Sequence, residues 1–257
     1  MELNRLLNKL GRIYPRKLQE FYDNCGYQFG RKNKEIKRIA LCLDFSLDVY
    51  ESLKDKDVDL VISHHPYIFG GTLRQVRKKD EIKNEVIEKV INDNRYALYS
   101  FHTCFDNAYK DGMNDAIGER LGLDNLRGSS LVKGIRIGEL KEEMSLEDLA
   151  SYVKEKLCLS YVLMCKGNSK KVKTVAFVGG AGSSFYRYAI EEKADVLISS
   201  DIAHHTRRDI LNRGFNYLEI AHEVERIFME KMSEELKKIS NEFEIIIIDD
   251  EKEMLAL

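Results

Sequence analysis

VDLVISHHPYIFGG (residues 58–71) joins an apolar run to two adjacent histidines and a proline. Read as a strand, the run is apolar at nearly every position, which fits a sheet covered on both faces. Neighbouring residues on a strand point to opposite faces, so His64 and His65 can serve one site only where the strand stops. Pro66 pushes His65 toward an extended or turn conformation. The histidine pair therefore marks a stiff corner at the carboxyl end of a strand, where open α/β sheets bind their ligands.

Working outward, similar runs recur: IALCLDF (39–45), YALYSF (96–101), SYVLMC (160–165), TVAFVGG (174–180), DVLISSD (195–201), FNYLEI (215–220) and FEIIIID (243–249). Helix-periodic stretches lie between them at 81–93, 112–122, 145–157, 184–193 and 223–239. Alternation of this kind predicts α/β layers. Small and polar residues in RGSSLVKGIRIGE (127–139) suggest a boundary, giving a first unit of 1–127 plus 211–257 and a second of 128–210.

The charges nearly balance, 41 Lys+Arg against 43 Asp+Glu, which excludes a strongly basic nucleic-acid footprint over the whole chain. The apolar runs are too short to cross a bilayer, and the amphipathic start MELNRLLNKLGRIYPRK lacks a signal-peptide core, so a cytoplasmic location without membrane contact is expected. Five cysteines without CxxC spacing predict reduced, mostly buried thiols rather than a disulfide framework or thiolate zinc site.

The six histidines are His64, His65, His102, His204, His205 and His222; four of them lie within two residues of a predicted strand's end, and His204 and His205 follow another strand by three and four residues. Asp106 follows His102 by four residues, and His222 and Glu225 are three apart, on one face if a helix starts there. Imidazole and carboxylate donors without thiolate suit Zn, Fe, Mn, Co or Ni. Asp201 and His205 read as a proton-transfer pair or as supports for other ligands, although Asp201 could equally cap a helix over 202–212. In FVGGAGSSFYRYAI (177–190), Gly180, Gly182 and Ser183 could hold an anionic part of a substrate at a helix start, or could form an ordinary strand-to-helix turn.

These clusters, in this order, resemble the Nif-three-like family, whose members are known as GTP cyclohydrolase I type 2 homologues. YDNCGYQFG (22–30) is similar to its Trp-Asp-Asn-x-Gly-x-Gln-x-Gly segment with tyrosine for tryptophan; ISHHPYIFGG, FHTCFDNAYKDGMNDAIGERLGL, VGGAGSS, SSDIAHH and IAHEVE follow the remaining landmarks. Ser200 and Ala221 stand where the family has glycine. The resemblance implies two α/β/α lobes with mixed sheets, a metal site in the cleft between them, and assembly as a homohexamer. It also implies His64, His65, Asp106, His222 and Glu225 as ligands of two divalent metal ions, with His102, Asp201 and His205 near them in catalytic or supporting roles.

Two functions follow as expectations. One is a metal-dependent hydrolase of a nucleotide or another phosphorylated or heterocyclic small molecule. The other is a non-catalytic metal-binding adaptor for protein or nucleic-acid partners, the latter met by basic stretches such as RKNKEIKR (31–38).

Overall fold

The strand segments Leu60–Ser63, Ala97–Ser100 and Val196–Ser199 are buried at every position, as their unbroken apolar pattern requires. The structure, a computed structural model, describes residues 1–252 and 254. The chain starts with α1 (Leu3–Ile13), β1 (Gly26–Gly30), β2 (Arg38–Cys42), α2 (Leu47–Ser52), β3 (Leu60–Ser63), α3 (Leu73–Lys79), α4 (Glu81–Asp93), β4 (Ala97–Ser100) and the single turn α5 (Thr103–Asp106). It continues through α6 (Met113–Arg120), β5 (Asp124–Gly128), β6 (Arg136–Met144), α7 (Leu146–Lys156), β7 (Val162–Cys165), β8 (Val172–Phe177), α8 (Tyr186–Glu191), β9 (Val196–Ser199), α9 (His204–Asn212) and β10 (Asn216–Ile220). It closes with α10 (Ile227–Ile239) and β11 (Glu244–Ile247).

Contacts divide the chain into two compact units: Met1–Ala108 with Phe228–Glu251, and Tyr109–Ile227 with the terminal segment from Lys252. The first unit holds a mixed sheet of order β1-β4-β3-β2-β11, in which only β1 runs antiparallel to its neighbour. One face of this sheet packs Ala40, Cys42, Val61 and Leu98 against Val49 and Tyr50 of α2 and Val86, Ile87 and Val90 of α4. The opposite-facing Ile39, Leu41, Leu60 and Ile62 are also fully buried. Local signals agree with the packing: Asp80 caps α4 by accepting from the amide of Lys83, and Asn94 ends the helix in the left-handed region at φ 51°.

The second unit holds a mixed sheet of order β5-β6-β8-β9-β10-β7, with β8, β9 and β10 parallel and the outer strands antiparallel. Its core joins Ile137, Ala176, Leu197 and Tyr217 to Ala189 and Ile210 on the helices.

The sheets move both expected boundaries. Residues 127–139 are not the boundary, which falls after Ala108: β5 and β6 pair as a hairpin, Gly128 opposite Arg136, within the second sheet. Likewise β10 pairs β9, which places residues 211–227 in the second unit and not with the first. Of the C-terminal segment assigned by sequence to the first unit, 253 and 255–257 lie outside the described residues. The free cysteines agree with expectation, Cys25, Cys42 and Cys104 being buried. No helix among the described residues is long and apolar enough to cross a membrane.

Candidate metal centre

In the first unit β3 and β4 run parallel with Ser63 opposite Ser100, so the next residues of both strands emerge at one edge. The ladder continues past the strands: the His64 and His65 amides donate to the Leu43 carbonyl at 3.1 Å each, and the Phe101 amide donates to Ser63 at 3.0 Å. This backbone brings His64, His65 and His102 together, with one potential ligand atom from each lying within 4.8 Å of the others.

Each ring is fixed through Nδ1. His64 Nδ1 lies 3.0 Å from the Phe101 carbonyl, which can only accept, so the ring carries its proton there and its lone pair on Nε2. His65 Nδ1 bonds Asp44 Oδ2 at 2.9 Å, and His102 Nδ1 bonds Asp23 Oδ1 at 2.9 Å. Such anchors orient an imidazole and raise its basicity toward a cation. Phe228 backs the His64 ring at 5.0 Å between centroids. Asp106, at the end of the single turn α5, puts Oδ1 3.5 Å from His64 Nε2.

Asp23 is the keystone of this cluster. Besides His102, its carboxylate accepts from the amides of Asn24 (2.7 Å) and Thr103 (3.0 Å), the Thr103 hydroxyl (2.5 Å) and the Cys25 thiol (3.1 Å). Burial alone would raise its pKa. The donors, led by His102, outweigh burial and hold the carboxyl well below the usual range. Asp23 and Asp44 were not picked out by sequence reasoning, although they lie in the quoted stretches YDNCGYQFG and IALCLDF; their distance along the chain from the histidines hid the role.

The second unit contributes a different arrangement. β9 and β10 pair in parallel with Ser199 opposite Glu219, so Asp201 and His222 leave adjacent strand ends. His222–Arg226 form a 3-10 turn, in which residues three apart eclipse one another. His222 Nε2 accordingly sits 3.0 Å from Glu225 Oε2, while Nδ1 meets Asp201 Oδ2 at 2.5 Å. Burial disfavours the imidazolium, but the two carboxylates win and push His222 up to about 9.

Asp201 adopts a left-handed backbone at φ 55° and turns to His222; Ala203, not Asp201, occupies the N-cap of α9. His205 is exposed on the first turn of α9, its ring 5.7 Å from that of His204.

Gly180, Gly182 and Ser183, expected to receive a substrate anion, are arranged around the protein's own groups. The Gly182 amide donates to Ser199 Oγ at 2.7 Å, the Gly179 amide to Asn114 Oδ1 at 2.7 Å, and Ser183 is buried in a short 3-10 turn. Gly180 has φ 67°, and a Cβ there would collide with Glu225 Oε1. The glycine thus lets the Glu225 carboxylate lie against the backbone.

The donor chemistry fits a divalent cation in both units: imidazoles locked at Nδ1, carboxylates within 3.0–3.5 Å of Nε2, and no thiolate. Three converging imidazoles would repel one another if all were protonated, whereas neutral rings here could hold a metal ion.

Comparison with known proteins agrees with the resemblance drawn from the motifs. The sequence signature of Duf34/NIF3 (NGG1p interacting factor 3) matches residues 1–253. A GTP cyclohydrolase 1 type 2 homolog of Clostridium perfringens is 31% identical over 98% of this chain and 98% of its own. One of Methanocaldococcus jannaschii is 30% identical over 97% of this chain and 100% of its own. Among solved structures, reduced HcgD from Methanocaldococcus jannaschii shares 26% identity at TM-score 0.79, covering 96% of this chain and 97% of that one. The Staphylococcus aureus protein SA1388, at 24% identity and TM-score 0.86 over 98% and 97% of the two chains, shares the fold.

Proposed function

Because the chain belongs to the Duf34/NIF3 family, we propose that it is a divalent-metal-dependent hydrolase of a nucleotide or another phosphorylated or heterocyclic small molecule. The observation that carries this reading is the convergence of His64, His65 and His102 at parallel strand ends, each held at Nδ1. The proposed ligands are His64, His65 and Asp106 from the first unit and His222 and Glu225 from the second, for two ions per chain. Bound divalent ions supply Lewis acidity and let water ionise near neutral pH.

The chain's own groups define what surrounds that chemistry. His102 accepts or releases a proton at Nε2, while Asp23, kept ionised by its donors, balances the charge that the ring gains. Asp201 orients His222 in the same manner. The relatives are named GTP cyclohydrolase 1 type 2 homologs, and water attack on a ring carbon is one chemistry this donor set suits.

The hydrolase reading is favoured over a nucleic-acid adaptor because the basic stretch 31–38 is partly engaged internally. Arg38 pairs with Glu244 at 2.7 Å, and Arg31 donates to the Asn94 carbonyl at 3.3 Å. The homohexamer belongs to the same proposal, and light scattering reads it directly.

The test is metal content by mass spectrometry on protein purified without chelator, followed by a hydrolysis screen against nucleotides and phosphoesters. Retained divalent metal, with turnover abolished by His64→Ala and by Asp106→Asn, is the expected result. Metal-free protein after loading, or turnover indifferent to both changes, overturns the reading.

A further inference from the structure

Three aromatic side chains of the first unit stand outside its core: Phe21 is 96% exposed, and Tyr22 and Phe69 are each 51% exposed. Isolated apolar residues on a surface need no explanation, but a contiguous set does. These three are contiguous. Phe21 meets Tyr22 with ring centroids 5.3 Å apart, Tyr22 meets Phe69 at 6.3 Å, and Phe69 meets His102 at 6.1 Å. His102 in turn meets His64 at 5.2 Å and His65 at 5.3 Å. A file of rings therefore runs from solvent to the histidine cluster.

The file is held by two pinned loops. Asn24 Nδ2 donates to the Ile68 carbonyl at 3.0 Å, and the Ile68 amide donates to Gln28 Oε1 at 3.0 Å, tying the segment after Tyr22 to the segment before Phe69. Gly70, at φ 64°, then turns the chain away immediately past Phe69. The surroundings are acidic: burial, Glu20, Asp23 and Asp106 together raise the Tyr22 phenol, which stays a neutral donor. Carboxylates this near the rings favour a heterocycle that bears N–H donors. Flat aromatic side chains stack on any planar base.

We propose that Phe21, Tyr22 and Phe69 form a stacking platform that binds the planar, N–H-bearing heterocycle of the substrate beside His102. The substrate role rests on the hydrolase reading above; the binding of a heterocycle does not.

The chain contains no tryptophan, so Tyr22→Trp installs a single fluorescent reporter on the platform while keeping an aromatic ring there. The full-length variant is titrated with guanosine and adenosine, and with ribose as the non-aromatic control. Saturable quenching by the nucleosides and none by ribose is expected, with affinity about tenfold weaker when Phe69→Ala is added. Phe21→Ala, at the solvent end, serves as an independent second variant. Adding His64→Ala separates the two readings: metal content falls and nucleoside quenching persists. Quenching without any metal or turnover would sink the hydrolase and leave the platform standing. The platform falls if nucleosides quench no better than ribose, or if neither alanine substitution weakens binding. It falls equally if Phe21→Ala changes only the oligomeric mass by light scattering, since the rings would then join copies of the chain.

Discussion

The two units anchor their histidines by one device and surround them with different charge. In both, Nδ1 is bonded to an acceptor, which sets the direction of Nε2. In the first unit the acceptors are a backbone carbonyl and two aspartates, and the rings stand on the stiff ends of parallel strands. In the second, a single imidazole on a 3-10 turn lies between Asp201 and Glu225 and is pushed up to about 9. Anchoring decides where a ring points, and the number of nearby carboxylates decides how tightly it keeps its proton. At neutral pH a cation binding at His222 would have to displace a proton from the ring.

The largest way to break this comparison is Asp23→Ala, which removes the acceptor of five hydrogen-bond donors in a fully buried position. A loss on the order of 3 kcal/mol or more is expected, because buried donors are left unsatisfied, and urea unfolding reads it. A loss below about 1 kcal/mol would show that water replaces the carboxylate and that Asp23 is no keystone.

Next comes Gly180→Ala. The left-handed backbone costs about 1–2 kcal/mol for a residue with a Cβ, and the new methyl meets Glu225 Oε1. Glu225 must move, so the change in the second unit is expected to bring the His222 pKa down together with the stability.

Glu225→Gln isolates the charge without the strain. In metal-free protein His222 titrates near 9, above its ordinary 6.5. A raised folded-state pKa means that the pair's contribution is fully present below about 6.5 and disappears as pH rises through about 9. NMR titration of the His222 ring is expected to show the midpoint dropping toward 6.5 in the variant, and an unchanged midpoint would assign the shift elsewhere.

Asp44→Asn is the mildest. Its side chain is 56% exposed, so stability changes by less than about 1 kcal/mol. Metal affinity is expected to fall about tenfold as His65 loses its charged anchor, a drop that competition with a chromophoric chelator measures.

Much of the architecture was legible as apolar runs: β2, β3, β4, β7, β8, β9, β10 and β11 all coincide with them, the central strands because both their faces are covered, while β7 and β11 lie at sheet edges and are partly exposed. β1, β5 and β6 escaped notice because GYQFG, DNLRG and RIGELKEEM mix glycine, polar and exposed positions at sheet edges or along a hairpin. The hairpin loop therefore passed for a boundary between units. HEVE passed for the start of an α-helix; the 3-10 turn found there brings His222 and Glu225 closer than the looser α-helical spacing would.

Residue chemistry and local pattern alone determined which side chains are available as ligands, that they leave the ends of strands, and that the sheets are layered with helices. These follow from short-range rules, hydrophobic periodicity and the stiffness of the His-His-Pro corner. Only the tertiary structure decided which carboxylate holds which ring, that residues 211–227 build the second sheet, and that a glycine makes room for Glu225. Those depend on strand register and backbone approach between segments far apart in the chain, which no local pattern encodes.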